Sequence, residues 1–371
     1  MKTIMILTNS DKGLHDFRNE VLLRLIEKSY QVVIVSPMEL YREYFESIGC
    51  KCIPMEIQRR GMNPITDFKL FQAYRRLLKK MNPYVVLTYT IKPNVYGGLA
   101  CRIQHITYFS NVTGLGTSLT GNSKMKHFIL MLYRMGLKGA RCVFFQNKTN
   151  LEFMQKYDCI QAKVRLLPGS GINLEEFAYE TYPEEGTIRL LTIGRIMKDK
   201  GIRELLNVIP QICEEFDNVI FELLGEYEEE DRILLEPIIE NLQKAGMIRY
   251  YGYQENAREY IKKAHILIHP SYHEGMSNVM LEAAATGRPI IASDIPGCRE
   301  IIQDGRTGML CKSKEEESLY KSLHTMLKKS TQEREEMGQA GREYVEKHFS
   351  RTLVVDAYLE EIKAVTQDTE K

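Results

Sequence analysis

Short apolar runs alternate with longer amphipathic stretches along most of the 371-residue chain. We predict strands in the first half at residues 1–8, 31–36, 84–89, 106–109 and 142–145. In the second half the corresponding runs are residues 188–193, 219–224, 248–251, 266–269 and 289–292. Apolar strands that alternate with helical patterns are typical of parallel sheets covered by helices on both faces. The sequence therefore predicts an α/β protein.

Each half opens in the same way, with a buried strand, a glycine-containing turn and a helix, predicted at 17–28 and at 201–216. A chain of this length is long for one hydrophobic core. We therefore expect two Rossmann-like domains, at 1–170 and 187–350, that face each other across a cleft, with a hinge near 168–173. A C-terminal helix at 351–371 is expected to pack back toward the first domain.

The formal net charge of +1 conceals an uneven distribution. Residues 1–180 carry a net charge of +11, and residues 68–151 contain 13 Lys or Arg but neither Asp nor Glu. Such a stretch is either a solvated basic face or a surface for an anionic partner. Because neither a nucleic-acid module nor an aromatic stacking pattern accompanies it, we expect an anionic membrane and no nucleic acid.

Two amphipathic stretches in this basic region, 67–81 and 123–141, are candidates for the membrane face. One face of the first is predicted to carry Phe68, Phe71, Tyr74, Leu78 and Met81, surrounded by Lys69, Arg75, Arg76, Lys79 and Lys80. The second contains an apolar run at 128–133. The alternative for both is a core-facing helix with a solvated basic rim.

The eight cysteines form no C-x2-C pair, so we expect neither a zinc site nor a disulfide framework, and a reducing cytoplasm fits best. The first apolar run is too short for a signal peptide, and none of the runs approaches the ~18 residues that a spanning helix needs. We expect a cytoplasmic protein that associates peripherally with the inner face of the membrane.

The strongest motif, at residues 269–283, places Glu274 in the loop after the strand at 266–269. Ser277 and Asn278 are good helix N-caps, and Glu282 is predicted about two turns into the following helix. Ligands of open α/β sheets bind at the carboxyl ends of strands, where the helix-start amides at 276–279 meet an anionic or polyhydroxyl ligand. The alternative for Glu282 is a solvated helix face.

A second motif, Gly194-Arg195 with Lys200-Gly201, follows the strand at 188–193. Arg supplies a planar fork and Lys a point charge, so both side chains suit a diphosphate, although basic loop residues are often simply solvated. Gly13, after the first strand, allows close backbone approach to a ligand.

Together these motifs resemble glycosyltransferase family 4, a group of retaining enzymes with the GT-B fold. The resemblance rests on the E-x7-E pair, the preceding Pro270-Ser271, the 194–201 motif, and residues 292–294 and 297–300. The first half resembles a bacterial subset through residues 15–18, 60–64, 91–97 and 113–116. Enzymes of that subset extend undecaprenyl-diphosphate-linked sugars during capsule, O-antigen or glycan assembly.

The resemblance implies a role for each candidate residue. Arg195 and Lys200 would hold the donor diphosphate, and Glu274 would contact the donor sugar. Further donor contacts are implied at Gly13, Gly194, Gly225, Tyr253, Gly275, Met276, Ser277, Asn278 and Glu282. Acceptor contacts are implied at His15, Lys92, Asn94 and Thr113. Thr113-Gly114 stands where many family members have a histidine near the donor sugar.

The chain has no D-x-D motif, so we expect no metal and no cofactor beyond a UDP-sugar donor. A zinc site at His269 and His273 is disfavoured, because the two straddle a strand end and a turn. A UDP-sugar 2-epimerase of related fold and a non-catalytic sugar-nucleotide-binding protein remain alternatives. So does inversion of configuration with His15 or Asp16 as general base.

Overall fold

The computed structural model describes residues 1–58, 61, 63–114 and 124–369. The motif positions Arg60, Met62, Leu115 and Gly116, and residues 115–123 of the basic stretch, lie outside the described residues. The chain divides into two compact units, with Met1–Ser170 and the C-terminal segment from Arg351 in the first and Gly171–Ser350 in the second. Residues 171–186, which lie between the two predicted domains, thus belong to the second unit.

The strands are Thr3–Leu7 (β1), Gln31–Ser36 (β2), Lys51–Pro54 (β3), Val85–Tyr89 (β4), Tyr108–Val112 (β5), Cys142–Phe145 (β6), Lys163–Leu166 (β7), Ile188–Ile193 (β8), Val219–Leu224 (β9), Ile248–Tyr250 (β10), Ile266–His269 (β11), Ile290–Ser293 (β12) and Gly308–Cys311 (β13).

The helices are Asp11–Glu27 (α1), Arg42–Ser47 (α2), Pro64–Met81 (α3), Gly98–Ile103 (α4), Lys124–Leu137 (α5), Lys148–Lys156 (α6), Ile202–Glu215 (α7), Glu229–Lys244 (α8), Arg258–Lys263 (α9), Asn278–Ala285 (α10), Glu316–Leu327 (α11), Thr331–Phe349 (α12) and Arg351–Thr369 (α13).

In the first unit, seven parallel strands form a sheet in the order β3-β2-β1-β4-β5-β6-β7. Because side chains alternate along a strand, Ile4 and Ile6 of β1 enter one core and Met5 and Leu7 the other. Helices α1, α2 and α13 contribute to the first core, and α3 to α6 contribute to the second. The last helix of the chain therefore completes the first unit, with Tyr358 fully buried.

In the second unit, six parallel strands form a sheet in the order β10-β9-β8-β11-β12-β13. Helices α7, α8 and α11 pack on one face, and α9 and α10 on the other, while α12 reaches both cores. The strand order reverses between the neighbours β8 and β11, where Leu191 pairs with Leu267. A crevice opens at the carboxyl ends of the strands at such a reversal, and ligands of open α/β sheets bind there.

Within the described ranges, none of the helices is long and apolar enough to cross a membrane.

Candidate functional site

The two strongest motifs meet at the strand reversal of the second unit. The loop after β8 carries Arg195 and Lys200, and the loop after β11 carries Glu274. Gly201 has a φ of +67°, and a Cβ there would stand 2.0 Å from the carbonyl oxygen of Pro270. Only glycine fits so close a backbone contact. The amide of Tyr272 also donates to the carbonyl of Asp199 at 2.8 Å, which holds the two loops together.

Glu274 accepts three hydrogen bonds on a single carboxylate oxygen. Its Oε1 lies 2.5 Å from Lys200 Nζ, 2.8 Å from His269 Nε2 and 2.8 Å from Ser271 Oγ. Burial raises the pKa of Glu274, but the hydrogen bonds and charges of His269 and Lys200 outweigh it and lower the pKa to about 2. The carboxylate is therefore ionised at neutral pH and acts only as an acceptor.

The predicted phosphate ligand Arg195 is held by a residue that the sequence analysis missed. Its Nη1 lies 2.5 Å from Glu228 Oε2, in the loop after β9. The two loops run side by side, since a Cβ on Gly225 would stand 1.9 Å from the carbonyl oxygen of Gly194. Glu228 belongs to a run of acidic residues, but nothing in their spacing identifies the one that meets Arg195.

Other predicted donor contacts gather at the same edge of the sheet. The amide of Gly225 donates to the carbonyl of Gly252 at 2.8 Å, and Tyr250 Oη donates to the carbonyl of Gly225 at 2.9 Å. Tyr253, in the loop after β10, has 60% of its surface exposed. An aromatic ring is thus accessible next to the glycine loops.

Ser277 caps α10, as its sequence predicts. Its Oγ accepts from the amide of Met280 at 3.4 Å, and its own amide donates to the carbonyl of Gly297 at 3.2 Å. The amides of the first two helical residues, Asn278 and Val279, have no acceptor within a helix. Glu282 is the fifth residue of α10, so it lies little more than one turn into the helix rather than two.

In the first unit, Gly13 lies within α1 and not in the predicted turn. The helix starts at Asp11, and the amide of Gly13 donates to the cap Ser10 Oγ at 3.0 Å. His15 Nδ1 lies 2.9 Å from Asp16 Oδ1, and the His15 ring stacks on Tyr41 with 3.9 Å between centroids. The two candidate general bases therefore form a His–Asp pair.

The predicted acceptor residues Lys92 and Asn94 are buried in the first unit. Lys92 Nζ lies 2.7 Å from Asp67 Oδ1. Asn94 Oδ1 accepts from Thr88 Oγ1 at 2.6 Å, and its Nδ2 donates to the carbonyl of Asn111 at 2.8 Å. These contacts give both residues structural partners in the interior, and their acceptor contacts stay a prediction. Thr113 is half-buried directly after β5.

The predicted apolar face of α3 is wrong at its first residue. Leu70, Tyr74 and Leu78 are buried, whereas Phe68 is 61% exposed. The buried row follows a helical spacing that starts from Asp67, which turns Phe68 outward. The exposed basic side chains of α3 are Lys69, Arg75, Arg76, Lys79 and Lys80.

In α5, the apolar run splits between the core and the surface. Ile129, Leu130 and Tyr133 are buried, and an outward row is formed by Met125, Phe128, Met131 and Met135. Among the charges of the basic stretch, Lys92 and Lys126 are buried and do not contribute to an outer surface.

Across the described residues, no group of three or more His, Cys, Asp or Glu side chains is placed to hold a metal ion. His269 is buried, and His273 is exposed.

Matches to two family models place the chain among the glycosyltransferases. Residues 4–147 match the family model described as glycosyl transferase 4-like, and residues 175–344 match the model described as glycosyl transferases group 1. The chain belongs to glycosyltransferase family 4, and its two parallel-sheet units are those of the GT-B fold.

A Campylobacter jejuni relative, N,N'-diacetylbacillosaminyl-diphospho-undecaprenol alpha-1,3-N-acetylgalactosaminyltransferase, is 27% identical over 87% of this chain and 89% of its own. The Staphylococcus aureus capsular polysaccharide biosynthesis glycosyltransferase CapM is 24% identical over 89% of each chain.

Two solved structures are similar in fold. A Rickettsia africae glycosyltransferase has a TM-score of 0.82 at 18% identity, with 98% of both chains covered. Anabaena HepE in complex with UDP and glucose has a TM-score of 0.75 at 15% identity, covering 98% of this chain and all of that one.

Proposed function

We propose that this glycosyltransferase moves a sugar from a UDP-sugar to a saccharide carried on a lipid diphosphate, with retention of configuration and without a metal ion. The observation that carries the proposal is the group formed by Lys200, Glu274 and Arg195 at the strand reversal of the second unit. It combines cations for a diphosphate with an ionised acceptor for sugar hydroxyls.

Arg195, Lys200 and the first amides of α10 bind the diphosphate, because cations and helix N-termini stabilise phosphate charge. Glu274 accepts from a donor-sugar hydroxyl, and Glu282 accepts from the ribose. The nucleobase lies against the loops of Gly225 and Tyr253. HepE, which has a similar fold, was solved with UDP and glucose, and this favours a UDP-linked donor.

In the reaction, the bond between the sugar C1 and the diphosphate oxygen breaks, and a bond forms from C1 to an acceptor hydroxyl. UDP leaves with the proton of that hydroxyl. Negative charge grows on the diphosphate as the first bond breaks, so cations placed beside it lower the barrier. Arg195 and Lys200 supply that charge in place of a metal ion.

The lipid-diphosphate acceptor is supported by the names of relatives. The Campylobacter jejuni relative acts on a diphospho-undecaprenol-linked sugar, and a second enzyme of that organism, 23% identical over 76% of this chain, has an acceptor of the same kind. The His15–Asp16 pair and Thr113 are the first-unit residues that we assign to the acceptor.

We also propose that α3 and α5 bring the protein to the inner face of the cell membrane. Five exposed basic residues on α3 stand beside exposed Phe68, and Phe128 and Met131 face outward on α5. An anionic surface favours each nearby Lys or Arg by roughly 1 kcal/mol, and apolar side chains add burial.

A donor screen tests the activity. Several UDP-sugars are offered with a bacterial lipid extract, with and without excess chelator, and products are identified by mass and by the anomeric coupling constant. We expect one UDP-sugar to give a lipid-linked product of unchanged configuration in both conditions. Isomerised sugar without transfer contradicts the proposal, and loss of transfer on chelation contradicts its metal independence.

Flotation with vesicles tests the membrane proposal. Wild type should bind anionic but not neutral vesicles, and binding should weaken as salt rises because surface charges are screened. Replacement of Arg75, Arg76, Lys79 and Lys80 by Gln should weaken vesicle binding and leave UDP affinity unchanged. If wild type ignores anionic vesicles at low salt, the basic face serves another partner.

A further inference from the structure

The three donors that reach Glu274 all use the same oxygen. Lys200, His269 and Ser271 converge on Oε1 at 2.5 to 2.8 Å, and no contact to Oε2 is present among the described residues. A carboxylate oxygen has two lone pairs, so three donors saturate Oε1. The carboxylate is therefore anchored on one side, and its second oxygen remains to accept from a ligand.

Of the two donors in this group that can carry a charge, Lys200 and His269, the His269 side chain is the less exposed. Its surface is only 5% exposed, at the last residue of β11, so it cannot bind a ligand in the crevice itself. Its Nε2 lies 2.8 Å from Glu274 Oε1 and 3.1 Å from Ser277 Oγ. Because an ionised carboxylate only accepts, Nε2 carries a proton whether the ring is neutral or charged.

We infer that His269 is a positioning residue that fixes the Glu274 carboxylate through Oε1 and directs Oε2 at the donor sugar. This inference rests on the role proposed for Glu274. The single hydrogen of Nε2 is shared with the N-cap hydroxyl of α10, at 3.1 Å, so His269 also links the carboxylate to the helix start that we assign to the diphosphate. Ser271, which is fully buried, adds a second fixed donor.

A purely structural histidine is the competing explanation. His265 provides the comparison, because it is equally buried just before β11 and bonds only backbone groups, the amide of Arg189 at 3.1 Å and the carbonyl of Glu184 at 3.3 Å. His269 instead bonds two side chains, those of Glu274 and Ser277. Loss of His265 should affect folding alone, whereas loss of His269 should affect turnover.

The test compares His269→Leu, His269→Gln and the control His265→Leu. A side-chain amide of Gln reaches nearly as far as Nε2 and restores one donor. We expect His269→Leu to lower kcat on the order of 10-fold or more, because a loosened catalytic group loses transition-state contacts. UDP affinity by calorimetry should stay within about 2-fold, since Glu274 is assigned to the sugar and not to the nucleotide. His269→Gln should recover most of kcat.

Glu274→Gln separates failure of this inference from failure of the proposed function. If Glu274→Gln keeps normal turnover, the role of Glu274 is wrong. If Glu274→Gln is slow and His269→Leu is not, only the positioning role is wrong. If both roles are correct, the double variant with His269→Leu and Glu274→Gln should be no slower than Glu274→Gln alone. A double variant in which the two losses of kcat multiply would overturn the inference. If His269→Leu folds poorly, Ser271→Ala can be used instead. It removes another Oε1 donor and should lower kcat without weakening UDP binding.

Discussion

Replacing Glu228 with Gln should strengthen the binding of UDP, although it removes a residue close to the proposed diphosphate site. Glu228 Oε2 lies 2.5 Å from Arg195 Nη1 in the structure. If Arg195 binds the diphosphate, this ion pair must break before the ligand gains the guanidinium. Glutamine keeps the shape of the side chain but lacks the charge, so Arg195 becomes available at a lower cost.

The exposure of the pair sets the size of the effect. The Arg195 side chain is 57% exposed and that of Glu228 is 34% exposed, so solvent screens their attraction. Ion pairs of this kind contribute about 0–1 kcal/mol. Because 1.4 kcal/mol corresponds to a factor of ten, the expected gain in UDP affinity is at most about 5-fold. The gain should shrink as salt is added.

Isothermal calorimetry with UDP measures the change, and Glu229→Gln is the matched control. Glu229→Gln removes the same charge one residue away. The Glu229 side chain is 84% exposed, and its partner is Arg232, at 3.6 Å. If the lost negative charge acted only through long-range repulsion of UDP, the two variants would gain the same UDP affinity. We expect Glu228→Gln to exceed Glu229→Gln, and the difference to vanish in an Arg195→Ala background.

Two results would refute this reasoning. Weaker UDP binding in Glu228→Gln would mean that Glu228 itself contacts the nucleotide. Equal gains in both variants, or a gain that persists without Arg195, would mean that the pair does not compete with the ligand.

Three further predictions concern other contacts. Lys200→Ala should lower kcat on the order of 10²-fold, as loss of a transition-state charge partner does, and steady-state kinetics with the donor found in the screen will show it. The pKa of Glu274 is lowered to about 2, so ionisation of this side chain stabilises the fold by about 3 kcal/mol at pH values above the unfolded pKa. This contribution is lost as the pH falls toward 2. Urea titrations should therefore show that the difference in unfolding free energy between wild type and Glu274→Gln shrinks between pH 5 and pH 2. Tyr358→Phe removes the donor that lies 2.5 Å from Asn111 Oδ1 in the buried core of the first unit, and should cost about 1–3 kcal/mol in urea unfolding without changing UDP affinity.

The interior strands were predictable from sequence, and three of the four edge strands were not. β2, β6, β8, β9 and β11 have the predicted bounds, because strands covered on both faces are continuous apolar runs. The prediction omitted β3, β7 and β13, which lie at sheet edges. Two of these, Lys51–Pro54 and Lys163–Leu166, have exposed residues at both ends and only half-buried residues between them, so they lack a buried apolar run.

The start of α1 shows how a local signal can be misinterpreted. Asn9 to Gly13 has the composition of a turn, and the helix was expected only from residue 17. Ser10 instead caps a helix that begins at Asp11, and Gly13 is tolerated in its first turn. A cap and a turn use the same residue types, so composition alone does not separate them.

The site was predictable wherever strand order decides it. Lys200 and Glu274 are 74 residues apart, yet each follows a central strand of the second sheet, and the reversal brings their loops together. The contact of His269 with Glu274 was not predictable, because it depends on how the loop after β11 folds back on the last residue of that strand. The contact of Glu228 with Arg195 was not predictable either, because it depends on how closely two loops approach. That approach is set by glycines such as Gly225 and Gly201, whose role emerges only once the neighbouring backbone is known.

The charges at the site indicate which group selects a diphosphate. Lys200 shares Oε1 of Glu274, so its charge is balanced within the protein before any ligand binds. The remaining attraction for an anion comes from Arg195 and from the N-terminus of α10, whose dipole is worth about half a positive charge. Glu228 neutralises Arg195 until a ligand with enough negative charge competes. A diphosphate can displace that carboxylate, whereas a neutral nucleoside has no negative charge to pair with the guanidinium. Discrimination between UDP and uridine should therefore depend on Arg195 more than on Lys200.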